Sequence, residues 1–297
     1  MKLSPEDKVL IQGINEPLAA IHAVRMKAYG TNVVAGVSPG EGGQALDGIP
    51  IFDLVEQAVS EVGAIDTTII FVPPYLALDA ALEAIAANIH QIIIITQGVP
   101  PLDMVSLLRK AEATNTLVVG PNSLGIIVPE KVLLGTYPVE FYTHGSVGII
   151  SRSGTLTSEV ALELMKAELG QSICVSIGSD SIIGSSLWEW LKILNEDKST
   201  KAIALVSQIN DGIEETAAQY IKEKIEKPVV AYIAGRLGPA RKRQLHASDL
   251  IVSLPILGTD PESTENIIAT FRQAKIPIAD RPSQVPELVK KALKIKP

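Results

Sequence analysis

The stretch that decides the fold is Val147-Gly148-Ile149-Ile150-Ser151-Arg152-Ser153-Gly154-Thr155-Leu156-Thr157. A short β-branched run passes into a small, hydroxyl-rich turn, and the turn opens a helix. Runs like the first part recur along the chain: Val9-Leu10-Ile11, Val33-Val34, Ile69-Ile70-Phe71-Val72, Ile92-Ile93-Ile94-Ile95, Leu117-Val118-Val119, Ile173-Cys174-Val175, Ile203-Ala204-Leu205-Val206, Val229 to Ile233 and Leu250-Ile251-Val252. Near-continuous apolar runs of this length predict strands buried on both faces, hence parallel sheets. Between them lie segments of helical spacing, among them Asp79 to Ala87, Glu214 to Ile225 and Leu288 to Ile295. Strand and helix in alternation predict an α/β fold. Glycine and proline follow the strands, at Gly13, Pro73-Pro74, Gly98, Gly120-Pro121, Gly154, Gly178 and Gly235. Parallel sheets bind ligands beyond the carboxyl ends of their strands, so function is sought in those turns.

The 297 residues are 46% hydrophobic and 20% charged, which excludes a disordered chain and leaves room for about two domains. The pattern lapses between Asn122 and Ser146. This predicts a Rossmann-like domain at 1–125, a connecting segment at 126–145 and a second α/β domain at 146–297. A formal net charge of −7 argues against nucleic acid as a partner. The single cysteine, Cys174, excludes a disulfide scaffold and suits a reducing cytosol. The start MKLSPEDKVL has no apolar core of a signal peptide, and no run is long enough to span a membrane. A cytoplasmic chain with no membrane partner and no metal site of its own is the expectation.

Three turns invite an anion. The first, Gly13-Ile14-Asn15-Glu16-Pro17-Leu18-Ala19, follows a strand and opens a helix, but a dinucleotide fingerprint needs two more glycines. Pro17 suits the first helical turn and removes a donor; Glu16 stands where the helix dipole would attract an anion. The bland reading is a helix start capped by Asn15. The second turn, Ser38-Pro39-Gly40-Glu41-Gly42-Gly43, permits close backbone approach or serves as a connector. The third is Ser151 to Thr157, where Ser153, Thr155 and Thr157 either cap the helix or, with its free N–H groups, hold a phosphate. Of His22, His90, His144 and His246, only His246 has distinctive company: Arg241-Lys242-Arg243 precede it in a loop, which suits an anionic state.

Taken together, these residues resemble the alpha subunit of succinyl-CoA synthetase (succinate–CoA ligase). The resemblance is carried by Ala28-Tyr29-Gly30-Thr31, Pro39-Gly40, Gly42-Gly43, Gly120-Pro121-Asn122, Gly148 to Thr157, Lys227 to Val230, Tyr232 to Gly235 and His246-Ala247. It implies a CoA-binding Rossmann domain followed by a flavodoxin-like ligase domain, in an enzyme of the tricarboxylic acid cycle. It also implies a heterodimer with an ATP-grasp beta subunit that carries ATP or GTP and Mg²⁺, and a small carboxylic acid as substrate. His246 matches the phosphorylated histidine, Gln208 the glutamate that orients it, and Ser153-Gly154-Thr155 the phosphate-holding helix start. Gly13, Asn15, Glu16, Pro17, Leu18, Glu41, Ile95, Thr96 and Gln97 fall on the CoA side, and Ser158 on a tyrosine beside the substrate. Several of these depart from the family. Pro17 interrupts the glycine-rich loop, Glu41 reverses a CoA-contacting lysine, Gln97 and Gln208 replace glutamates, Ser158 replaces tyrosine, Leu245 and Ser248 replace glycines beside the histidine, and Ser176 and Ser179 replace glycines near the retained Gly178 and Asp180. The departures predict weakened or altered CoA binding. Three readings follow: an active ligase subunit, a non-catalytic or regulatory paralogue, and a related carbamoyl or acyl transfer.

Overall fold

In the computed structural model, residues 3–208, 214–234 and 268–295 are described. They form two compact α/β units, one from residues 3–137 with 177–185, the other from residues 138–176 with the described residues after 185.

The first unit begins with β1 (Val9–Gln12), α1 (Pro17–Tyr29), β2 (Val33–Val37), β3 (Ala45–Leu46), β4 (Ile49–Phe52) and α2 (Val55–Val62). It continues with β5 (Thr67–Ile70), α3 (Ala77–Ala86), β6 (Gln91–Ile94), α4 (Pro101–Thr114) and β7 (Leu117–Val119). The order across the sheet is β3-β4-β2-β1-β5-β6-β7, and each adjacent pair except β3–β4 is parallel. β1 is the first strand, and the chain builds outward from it on both sides. The topological switch point therefore lies between β1 and β5. All four residues of β1, β5 and β6 are buried, as their apolar runs predicted. Leu10, Ile70, Ile92 and Ile94 pack with Ala77, Ala81 and Ala84 of α3 and with Met104 and Leu107 of α4. Each such Leu, Ile or Met side chain contributes about 1.5–3 kcal/mol relative to exposure.

Polar residues within this core are paired. Gln12 donates Nε2–H to the Ala80 carbonyl of α3 at 2.9 Å and accepts from the Thr68 hydroxyl at 2.9 Å, tying β1 to α3 and β5. Gly36 lies against Ile14: a Cβ there would stand 2.3 Å from Ile14 Cδ1. The stretch 126–145 contains most of a hairpin, β8 (Gly125–Val128) and β9 (Val132–Gly135), and the first unit runs on through it to residue 137. Thr31 holds β9 to the end of α1 by donating to the Leu133 carbonyl at 2.7 Å and accepting the Leu133 N–H at 3.0 Å.

The second unit contains β10 (His144–Ser151), α5 (Gly154–Lys166), β11 (Gln171–Ser176), α6 (Leu187–Glu196), β12 (Ala202–Gln208), α7 (Glu214–Lys224), β13 (Val229–Ala234), β14 (Ile278–Ala279) and α8 (Val285–Ala292). Its parallel strands run β14-β13-β12-β10-β11. The switch point here falls between β10 and β12. Helices expected at 79–87, 214–225 and 288–295 are present with shifted ends; α8 starts earlier because Pro286 suits a first turn, and it ends at Ala292. The strand expected at Leu250–Val252 lies outside the described residues.

Two predictions test this packing. Gly36→Ala should cost about 1–3 kcal/mol by overpacking against Ile14, read as a lower denaturant midpoint. His22 is buried in α1, its Nδ1 has no hydrogen-bond partner, and burial, then Arg25, holds its pKa below the ordinary value. Below about pH 6.5 the unfolded chain then binds more protons than the fold, so stability is lost as pH falls. His22→Leu should flatten that loss, measured by urea unfolding at about pH 7.5 and 5.5.

Candidate functional site

Because the strands of the first sheet are parallel, the turns after β1, β2, β5, β6 and β7 all leave its carboxyl edge. This edge collects Gly13, Asn15, Glu16, Pro17 and Leu18 after β1, Glu41 after β2, and Ile95, Thr96 and Gln97 after β6. Gly13 sits at the switch point with φ 77°, and a Cβ there would be 2.9 Å from the Val72 nitrogen, so β1 and the turn after β5 require glycine at this position. Ile95 is buried; Thr96 is half-buried and donates its hydroxyl to the Val72 carbonyl at 2.7 Å; Gln97 is exposed.

Asn15 does not cap α1. The cap position is Glu16, with extended backbone and no side-chain capping bond, and Pro17 is the first helical residue. Asn15 lies one residue too early because Gly13 closes a turn on Glu16, whose N–H donates to the Gly13 carbonyl at 2.9 Å.

The glycine turn after β2 holds a carboxylate already. Asp53, at the end of the neighbouring β4, accepts from the Gly40 N–H at 2.7 Å and the Gly42 N–H at 3.0 Å through one oxygen. The Gly43 N–H goes to the Ile51 carbonyl at 3.0 Å and the Glu41 N–H to the Ser38 carbonyl at 3.1 Å. The Glu41 carboxylate accepts from the Gln44 amide. Sequence reasoning missed Asp53. Its signal was an aspartate just after the strand that pairs beside β2, ahead of a helix.

The loop 177–185 closes this edge beyond β7. Its Gly184 N–H donates to the Gly120 carbonyl at 2.7 Å, Ser179 N–H to the Asn122 carbonyl at 3.3 Å, and Asn122 Nδ2–H to Asp180 at 2.8 Å. Gly178, at φ 105°, admits no Cβ, which would meet the Pro121 carbonyl at 2.2 Å.

In the second unit, Arg152 and Ser153 link β10 to α5 at the switch point. The Arg152 N–H donates to the Val206 carbonyl of β12 at 3.0 Å. β12 ends at Gln208, so the backbone places Gln208 on the same edge as this turn. Ser153 occupies the cap position without a side-chain capping bond; its carbonyl accepts the Thr157 hydroxyl, and its N–H donates to the Ser151 hydroxyl at 3.0 Å. Thr157 is thus turned into the helix, while Gly154 is half-buried and Thr155 exposed. The first-turn N–H groups of α5 lack intrahelical acceptors and face the edge, where an anion is stabilised by the helix dipole. Ser158 lies 3.3 Å from the Tyr142 hydroxyl. Burial, then Cys174, pushes the Tyr142 phenol above its usual range, and the Ser158 bond lowers it slightly. Tyr142 was not singled out from sequence. His246 lies outside the described residues.

Two parallel α/β units, each with a loop-built edge at its switch point, define a two-unit α/β chain of the class that binds ligands beyond the carboxyl ends of its strands. The CoA binding domain family matches residues 5–98, and the succinyl-CoA ligase like flavodoxin domain matches residues 144–253. Among curated relatives, subunit alpha 2 of succinate–CoA ligase [ADP-forming] from Archaeoglobus fulgidus is 42% identical over 286 residues, 96% of this chain and 97% of the relative. The corresponding alpha subunit from Aquifex aeolicus is 39% identical over 295 residues, 99% of this chain and 94% of the relative. A solved structure of ATP citrate lyase from Methanothrix soehngenii, in complex with citrate and coenzyme A, shares the fold: TM-score 0.83 at 21% identity, covering 99% of this chain and 51% of that one. This chain therefore spans about half the length of the protein in that structure. The chain belongs to the succinate–CoA ligase alpha-subunit family.

CoA presents a diphosphate and a 3′-phosphate, an adenine and a pantetheine arm. The first-unit edge fits the uncharged parts: Tyr75 and Leu76 after β5, and Leu18 and Leu102 in the first turns of α1 and α4, are exposed large apolar side chains. It does not fit the phosphates, since Asp53 holds the Gly40 and Gly42 donors and Glu41 stands beside them.

Asp53→Ala should release those donors. Amide exchange at Gly40 and Gly42 should accelerate at least about tenfold, with global stability falling by less than about 1.5 kcal/mol, because both groups are solvent-accessible.

Proposed function

We propose that this chain is the alpha-type subunit of an acid–CoA ligase with the net reaction carboxylic acid + CoA + nucleoside triphosphate → acyl-CoA + nucleoside diphosphate + phosphate, succinate being the first acid to test. The observation that carries the reading is the α5 start at the switch point of the second sheet, Ser153-Gly154-Thr155, on the edge where β12 ends at Gln208. Such an edge stabilises a phosphoryl group through backbone donors and a helix dipole, with no need of a cation.

His246 is the residue we assign to carry that group. A neutral ring nitrogen attacks the terminal phosphorus of the nucleotide, and the bond from phosphorus to the leaving diphosphate oxygen breaks. A carboxylate oxygen of the acid then attacks the same phosphorus; the P–N bond breaks, the imidazole is regenerated, and an acyl phosphate forms, whose carbonyl carbon is attacked by the CoA sulfur as its C–O bond to phosphate breaks, giving acyl-CoA and phosphate. Relay through the imidazole divides one difficult transfer into two. Gln208 accepts the N–H of the other ring nitrogen and orients the ring, but as a neutral amide it stabilises imidazolium less than a carboxylate does. Ser158 and Tyr142 border the same helix start and are assigned to the acid. The nucleotide and Mg²⁺ are assigned to an ATP-grasp beta subunit in a heterodimer. In the CoA-side set, Gly13, Asn15, Leu18, Ile95, Thr96 and Gln97 frame the adenine and pantetheine portions, while Glu16, Pro17 and Glu41 oppose the phosphates.

The chain co-purified with a beta-type subunit and incubated with γ-³²P-labelled ATP should gain acid-labile, base-stable label, and His246→Ala should abolish it. Labelling that persists in His246→Ala would overturn the assignment. A stable complex that never takes label would favour the non-catalytic paralogue.

A further inference from the structure

The turns of the first-unit edge carry no lysine or arginine at all. Residues 13–18, 38–44, 71–76, 95–103, 120–124 and 177–185 contain Glu16, Glu41, Asp103 and Asp180 and no cation, and Asp53 stands next to them. Many of the backbone donors that could replace cations are also committed. The N–H groups of Gly13 and Ile14 go to the Val37 carbonyl at 2.8 and 3.3 Å, and that of Glu16 to Gly13. Pro17 has none. Gly40 and Gly42 are bonded to Asp53, so this turn is closed around an internal anion. A phosphomonoester brought to the edge meets like charge and few open donors. What the edge offers outward is apolar: Tyr75 and Leu102 are each 81% exposed, and Leu18 and Leu76 about half. Aromatic and aliphatic surface of this kind suits a purine face and an uncharged arm.

From these observations, and resting on the CoA reading above, we propose that the edge takes the carrier by its adenine and pantetheine portions and does not recognise the 3′-phosphate. The chain therefore accepts dephospho-CoA at least as well as CoA. Glu41 is the specificity-determining residue: its carboxylate, held by Gln44, adds a second negative charge to the glycine turn that already encloses Asp53. The 3′-phosphate adds negative charge to a ligand entering a negative edge, so screening by salt relieves the repulsion.

Calorimetric titration of the full chain with CoA and with dephospho-CoA, at about 50 and 300 mM NaCl, tests the proposal. Dephospho-CoA should bind as tightly as CoA or more tightly, and added salt should narrow any gap by strengthening CoA. In Glu41→Lys the preference should swing toward CoA by about tenfold, with Glu41→Gln between the two. Unmodified chain that prefers CoA by more than about threefold, with a gap that shrinks as salt weakens CoA, would overturn the inference and leave the CoA reading standing. Absence of heat with both compounds, in all three forms of the chain, would overturn the CoA reading itself and the inference with it.

Discussion

Both units depend on one constraint: strands buried on two faces must satisfy their backbone through parallel neighbours. Parallel pairing sends every strand's carboxyl end to the same edge, and crossover helices cover both faces. That alone brings together residues as far apart in sequence as Gly13, Glu41, Thr96 and Asn122. It also creates the two switch points, where outward-diverging connections leave a crevice. Gly13 at the first switch point and the Ser151–Ser153 turn at the second lie where the chain reverses its direction of build.

The two edges treat charge in opposite ways. In the second unit, Ser153 spends its carbonyl and N–H locally, on Thr157 and Ser151, and leaves the first turn of α5 open to an anion. In the first unit, Asp53 takes the Gly40 and Gly42 donors, Val37 those of Gly13 and Ile14, and Pro17 removes one from the first turn of α1. On the proposed reading, one fold class presents an edge that accepts a phosphoryl group and an edge that disfavours one. The difference lies in a handful of side chains, since the parallel sheet beneath is the same.

The segment 177–185 shows a different economy. It leaves the second unit's strand β11 and packs with Gly120–Asn122 of the first unit through backbone bonds and the Asn122–Asp180 pair. Gly178 is needed because the two backbones approach within the space its Cβ would occupy, and Gly120 because a Cβ there would meet the Ile94 carbonyl. A reading of the chain as consecutive domains places this loop with its neighbours in sequence; only contacts place it elsewhere.

The sequence by itself determined the α/β class, the parallel sheets, the positions of β1, β5, β6 and β10, and the helix opened at Gly154. These follow from local periodicity and from burial on both faces, which a single run of Ile and Val reports directly. Tertiary structure decided three things. Asp53 fills the glycine turn, an acceptor that only the pairing of β4 beside β2 brings there. Tyr142 meets Ser158, sixteen residues apart, because β10 returns α5 beside the chain that precedes it. Glu16, not Asn15, takes the cap, because the turn closed by Gly13 fixes where helical geometry starts. Each depends on which groups converge in space after the chain has folded, and hydrogen-bond partners drawn from separate elements leave no trace in residue spacing.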